Sequence, residues 1–223
     1  WSKKRFLEGL DNKYINSEKL LVCFQSAVKG NINLIKKKQK WVTFVGKLNK
    51  AKGYDIFAKT IVEILNKNKD WKAKIVGDEK REIINIKHKN ANLLGFQKHD
   101  KVLDLFKKSS IAVVCSRWEE PFGRTSLEAA ANGCAVIISD RGGLKETITD
   151  AIILKKLTVD CVFKSIDDLI ANKKKLDSLK KKSYENFYLT NKFISKKIDL
   201  YRSRLLNDIK PPKFLINTRS KLK

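Results

Sequence analysis

Glu120 and Glu128 bracket the turn Pro121-Phe122-Gly123 within the run Ser116-Arg117-Trp118-Glu119-Glu120-Pro121-Phe122-Gly123-Arg124-Thr125-Ser126-Leu127-Glu128. An apolar, strand-like run ends at Cys115, and a helical pattern starts near Gly123. The first N–H groups of such a helix have no intrahelical acceptor, and a glycine lets a ligand approach them closely. That combination suits an anion such as a diphosphate. Carboxylates accept hydrogen bonds from hydroxyls, so one on each side of a phosphate cradle is placed to hold sugars. Two plainer readings compete. Thr125-x-x-Glu128 fits a capping box, in which the glutamate only closes the helix start, and Glu119-Glu120 fits an exposed acidic loop.

The elements that must position these residues follow from periodicity. Trp41 to Gly46 is a β-rich run closed by glycine, and Ile56, Phe57, Thr60, Ile61, Ile64 and Leu65 then mark one face of a helix. Lys74 to Gly77, Ala91 to Gly95, Ile111 to Cys115 and Ala135 to Ser139 read as further strands, with Ile152 to Leu154 a sixth. Helices are expected over a polar stretch after Gly77, over Asp100 to Lys108, and from Gly123 to Asn132. Further helices are expected over Phe163 to Ala171, Leu176 to Phe187 and Phe193 to Leu206. Strands alternating with helices at this spacing imply an α/β fold, a Rossmann-like parallel sheet with helices on both faces. Such sheets bind ligands beyond the carboxyl ends of their strands. The loops Gly46-Lys47, Gly77-Asp78, Ser116 to Gly123 and Ser139 to Gly143 all lie there.

Glu120, seven residues, then Glu128, followed by Ala129 to Ser139 and Gly142-Gly143-Leu144-Lys145-Glu146, resembles the donor-site block of retaining family 4 glycosyltransferases, which have the GT-B fold. Phe44-Val45-Gly46-Lys47-Leu48 and Lys52-Gly53 resemble that family's glycine-arginine turn and its lysine-glycine, and Ile75 to Asp78 and Leu94-Gly95-Phe96 fall in the family's order. The resemblance covers Trp41 to Glu146 closely and the later helices loosely. It implies a catalytic set of Glu120, Lys47 and Lys52. Glu120 would hold donor-sugar hydroxyls, and the two lysines would neutralise the leaving diphosphate. It also implies donor contacts from Gly46, Phe122, Gly123, Arg124, Thr125 and Ser126. Glu128 would take the ribose hydroxyls, and Leu94 and Gly95 would lie by the base. No metal ligand and no resident cofactor are expected; a UDP- or GDP-sugar enters as substrate. Two positions depart from the family: Lys47 stands where Arg is usual, and Glu79 where a second glycine is common. Ser116, Asp140 and Arg141 edge the crevice with structural roles expected, and His88 and His99 read as surface residues.

The resemblance further implies a domain plan. Residues 1–39 would be the end of an acceptor domain plus the interdomain linker, with Leu20 to Phe24 a final strand and Ser26 to Lys40 the connection. Residues 40–190 would be the nucleotide-sugar domain, 191–209 a crossing helix whose apolar face is left exposed without its partner domain, and 210–223 a basic tail. The chain opens at Trp1 and has no methionine, which reads as a fragment or processed chain. The expected partners are therefore a missing N-terminal domain and a saccharide or lipid-linked acceptor, with transfer absent from this chain alone.

The formal net charge of +25 invites a nucleic-acid reading. The excess is nearly all lysine, however, and the arginine fork that reads phosphates and bases is scarce. No dedicated nucleic-acid partner is expected. An anionic membrane surface is a further candidate partner, at about 1 kcal/mol per nearby lysine. Four cysteines without CxxC spacing suit a reducing cytoplasm, with peripheral association at the inner face of the plasma membrane following from charge. Other GT-B chemistry, such as a nucleotide-sugar epimerase or a phosphorylase, and a non-catalytic basic module are the alternatives.

Overall fold

The computed structural model describes residues 1–10, 20–31 and 38–208. The tail expected over 210–223 and residues 32–37 of the expected connection lie outside them. Six parallel strands form one sheet: β1 (Gln39–Val45), β2 (Lys72–Val76), β3 (Ala91–Leu93), β4 (Ser109–Val114), β5 (Ala135–Ser139) and β6 (Ile152–Leu154). The helices are α1 (Ser2–Glu8), α2 (Tyr54–Lys67), α3 (His99–Lys108), α4 (Arg124–Ala131), α5 (Val159–Ala171), α6 (Lys173–Glu185) and α7 (Asn191–Asp208). The strand order is β3-β2-β1-β4-β5-β6, so the direction of winding reverses between β1 and β4. In an open parallel sheet that reversal opens a crevice beyond the two carboxyl ends.

The central strands are mostly apolar because both faces are covered. Ile111, Val113, Ala135 and Ile137 join Val42 and Phe44 in one core, with Ile61 and Ile64 of α2 and Val162 and Ile166 of α5. Ala112, Val136 and Ile138 point the other way, into a second core with Phe106 of α3 and Leu127, Ala129 and Ala130 of α4. The period of two thus sorts alternate residues between two helical layers.

Lys38, at the amino edge of the sheet, ties that second layer together. Its Nζ donates to the carbonyls of Phe106 (2.7 Å), Lys107 (3.2 Å) and Asn132 (2.7 Å), closing the ends of α3 and α4. A cation is favoured at a helix C-terminus, where carbonyls lack partners. Burial lowers its pKa.

Two expectations need correction. The stretch after Gly77 is not helical: residues 82–88 have no regular secondary structure, with exposed and half-buried residues alternating, and Ile84 and Ile86 pack on the first core. A period of two in a polar segment had been masked by its lysines. Residues 20–24 form no strand; the nearest pairing is a single bridge between Ala27 and Thr190. Along α7, Ile194 is buried at 6% exposure, while Ile198 at 37% and Leu205 at 57% leave most of the expected apolar face exposed. None of the described helices is long and apolar enough to cross a membrane.

Candidate functional site

Three loops at the carboxyl end of the sheet are bound into one unit. The backbone N–H groups of Arg117 and Trp118 both donate to the Ala51 carbonyl, at 2.9 and 3.0 Å. The Arg117 guanidinium holds both Asp55 oxygens and the Lys50 carbonyl. Ser139 Oγ donates to the Ser116 carbonyl at 2.6 Å. From the loop after β5, the Gly143 N–H donates to the Glu120 carbonyl at 2.6 Å and the Gly142 N–H to the Glu119 carboxylate at 2.6 Å. Ser116 Oγ lies 3.2 Å from both the Ala51 and the Trp118 carbonyl oxygens, and the residue borders the hollow beside Glu120. Glu119 is turned toward Gly142 and Arg141, away from the role of Glu120.

Two glycines make the close approaches possible. A Cβ on Gly53 would lie 1.8 Å from the Cys115 carbonyl oxygen, and one on Gly142, at φ +56°, would lie 2.2 Å from that of Glu120. Gly53 thereby brings Lys52 against the end of β4. Lys52 Nζ meets Glu120 Oε1 at 2.5 Å, with the Glu120 side chain only 13% exposed. Glu79, where the resemblance led one to expect glycine, accepts from Asn49 Nδ2 at 3.1 Å and from Arg81 Nε at 3.0 Å. Hydrogen bonds from the Arg81 side chain, then its backbone N–H, then Asn49, pull the Glu79 carboxyl down to about 2. The departure from glycine serves to link the loops after β1 and β2.

A hollow of about 90 Å³ opens at the switch point. Gly46 after β1, Lys52, Glu120, Gly123, Arg124 and Thr125 all line it. No side chain caps α4, whose N-cap is Gly123, so its first N–H groups are left for a ligand. Of the expected site residues, Lys47 is exposed and Phe122 is half-buried, stacked on Phe24 with ring centroids 5.6 Å apart. Ser126 is fully buried, its hydroxyl donating to the Gly123 carbonyl at 2.8 Å and lying 3.0 Å from Thr147 Oγ1, so its side chain is committed to the packing beneath the site. Leu94 and Gly95 sit at the end of β3, where the Gly95 carbonyl accepts from Gly77 N–H at 2.9 Å.

Glu128 does not close the helix. The capping-box reading fails because α4 has Gly123 as its N-cap and begins at Arg124, which places Glu128 two residues deeper than the position a capping box uses. Its side chain, 7% exposed, takes Arg124 Nε at 2.6 Å and His99 Nε2 at 2.8 Å. It borders a second hollow of about 430 Å³, lined also by Gln25, Ser26, His99, Leu103, Arg124 and Asn191. His99 lies at the surface as expected, its side chain 51% exposed, yet it reaches Glu128 from the first turn of α3, a contact that no pattern in the sequence signals. His88 accepts from Asn90 N–H through Nδ1 at 3.1 Å.

The family model described as Glycosyl transferases group 1 matches residues 27–186. The chain belongs to that family. Among the relatives of this group 1 glycosyl transferase, spore coat protein SA of Bacillus subtilis is 30% identical over 125 residues, covering 50% of this chain and 33% of the relative. The lipopolysaccharide core biosynthesis mannosyltransferase LpsB of Rhizobium meliloti is 28% identical over 121 residues, covering 50% of this chain and 34% of the relative. The chain thus matches about a third of the length of each. Anabaena HepE, solved in complex with UDP and glucose, shares the fold with a TM-score of 0.73 at 17% identity, over 90% of this chain and 60% of that one. The α/β, Rossmann-like parallel sheet expected from the sequence is the fold observed.

Proposed function

We propose that this chain supplies the nucleotide-sugar site of a retaining glycosyltransferase, with a UDP- or GDP-sugar as donor and a saccharide or lipid-linked hydroxyl as acceptor. The observation that carries the reading is the convergence of Lys52, Glu120 and the uncapped start of α4 on one hollow at the switch point. The diphosphate lies against the α4 N–H groups. Lys52, a point charge beside it, stabilises the negative charge that grows on the leaving diphosphate. Lys47, on the exposed loop after β1, swings to the same charge when donor binds.

Glu120 accepts hydrogen bonds from the donor sugar's hydroxyls and positions it for attack by the acceptor on the face the diphosphate leaves. Glu128 takes the ribose, and the base lies toward Leu94 and Gly95. A GT-B partner domain would bring the acceptor. Within that scheme the chain works in the cytoplasm, at or near an anionic membrane surface, and binds donor without transferring sugar by itself. The arrangement is tested by pairing two variants against two ligands. Glu120→Gln weakens a UDP- or GDP-sugar while leaving the free nucleotide unchanged, whereas Glu128→Ala weakens both. Equal losses for sugar and free nucleotide in Glu120→Gln contradict the assigned sugar contact.

A further inference from the structure

Both groups that hold Glu128 act on one oxygen. Arg124 Nε (2.6 Å) and His99 Nε2 (2.8 Å) meet at Oε1, and Oε2 has no hydrogen-bond partner among the described residues. The buried, unpartnered side-chain atoms of the described residues are Tyr54 Oη and Ser183 Oγ, so Oε2 is open to the hollow rather than sealed. Arg124 lies four residues before Glu128 on α4, while His99 is the first residue of α3. The histidine therefore reaches across from a separate helix to a carboxylate that α4 alone would leave to its own arginine.

That difference matters because arginine presents a fork. A guanidinium next to a free carboxylate tends to pair with both oxygens in parallel, and the terminal torsion of a glutamate is broad enough to permit it. A donor fixed on Oε1 from the other side opposes that rotation and keeps Oε2 as an unspent acceptor. A carboxylate in this state accepts from a hydroxyl and gains nothing from a C–H at the same place.

We propose that His99 is a positioning residue. By sharing Oε1 with Arg124 it reserves Oε2 of Glu128 for a sugar hydroxyl, and so makes the site prefer ribonucleoside diphosphates over their deoxy counterparts. The inference rests on the donor-site reading above and adds to it a residue and a selectivity.

The test is calorimetric titration of the 223-residue chain with UDP and GDP and with their 2′-deoxy and 3′-deoxy counterparts, for the unaltered protein, His99→Leu and His99→Gln. The unaltered chain binds the better ribonucleotide roughly tenfold more tightly than at least one deoxy counterpart, the worth of one hydrogen bond to a charged group. His99→Leu loses that ratio, weakening the ribonucleotide while leaving the deoxynucleotide where it was. His99→Gln, whose amide can still donate, restores most of it. Retained nucleotide binding with an unchanged ratio in His99→Leu overturns the role of His99 alone. An equal loss for both sugars, not rescued by glutamine, also overturns it and leaves only a helix–helix contact. No saturable binding by the unaltered chain overturns the donor-site reading and the role of His99 with it.

Discussion

Lys52 and Glu120 face each other across the mouth of the switch-point crevice, the ammonium 2.5 Å from Oε1. One is carried by the loop after β1 and the other by the loop after β4, the two strands between which the sheet reverses. The lysine is 34% exposed and the glutamate 13%, so the carboxylate depends on its partner for solvation. Removing the cation leaves a half-buried charge without compensation, which costs more than the pair itself contributes. Lys52→Met is expected to weaken UDP or GDP binding by roughly 10- to 100-fold, in line with about 1.5–3 kcal/mol for a hydrogen bond to a charged group. Titration at low and moderate salt checks this. Unchanged nucleotide affinity would remove Lys52 from the site.

Gly142→Ala tests whether the loop after β5 sets the position of Glu120. The new Cβ meets the Glu120 carbonyl oxygen at 2.2 Å, and φ is +56°, so both sterics and backbone resist. A non-glycine residue there costs about 1–3 kcal/mol, and the Glu120 loop must shift. A lower melting temperature is expected together with a larger loss of sugar-nucleotide than of free-nucleotide affinity. A lower melting temperature with both affinities intact would show that the two loops are not coupled.

Glu79 gives the crevice an acid-sensitive strut. Its carboxyl is depressed in the folded protein from 4.5 to about 2. A depressed carboxyl stabilises the fold above its unfolded pKa, and that contribution is lost as pH falls toward the folded value. Between about pH 4.5 and 2, the unaltered chain therefore loses stability that Glu79→Gln does not have to lose. Urea midpoints measured across that window should converge as pH falls. Parallel curves would contradict the assignment.

Tyr54 is a polar atom the core would do better without. Its ring packs on Phe44 of β1, with centroids 5.4 Å apart, but Oη is buried with no partner among the described residues, and burial pushes its pKa up to about 12. An unsatisfied buried hydroxyl costs about 1–3 kcal/mol. Tyr54→Phe keeps the packing and removes that cost, so stability to urea should rise by about 1 kcal/mol. A loss of stability would mean that the hydroxyl has a partner.

The parts of this molecule that could be read from its residues are those where burial imposes a period. β1, β4 and β5 are covered on both faces, so Val42, Ile111 and Ile137 sit in largely apolar runs, broken in β1 by Thr43 alone between Trp41 and Val45. The pattern over α2 is as clear because one face meets the sheet. The segment after β2 defeated the same logic: its inward residues, Glu82, Ile84, Ile86 and His88, alternate under a lysine-rich surface, and half of them are polar. Among site residues, spacing placed Glu120 at the crevice but could not tell Glu119 from it; the separation comes from Gly142, whose N–H takes the Glu119 carboxylate. The contact of His99 with Glu128 and the inward turn of the Ser126 hydroxyl were not legible, for one reason. Whether a side chain on a helix turns toward a crevice or a neighbour depends on where the next helix lies, and residues 29 apart, His99 and Glu128, meet only once α3 and α4 are packed.

The donor-site reading rests most directly on saturable nucleotide binding, so the decisive measurement is calorimetry of the unaltered chain against UDP, GDP and their sugars, with RNA and anionic vesicles as competitors. One site per chain, saturated by a nucleotide diphosphate and weakened by Lys52→Met, is the predicted result. Saturation by RNA or anionic lipid, with no saturable response to any nucleotide or nucleotide sugar, would contradict it.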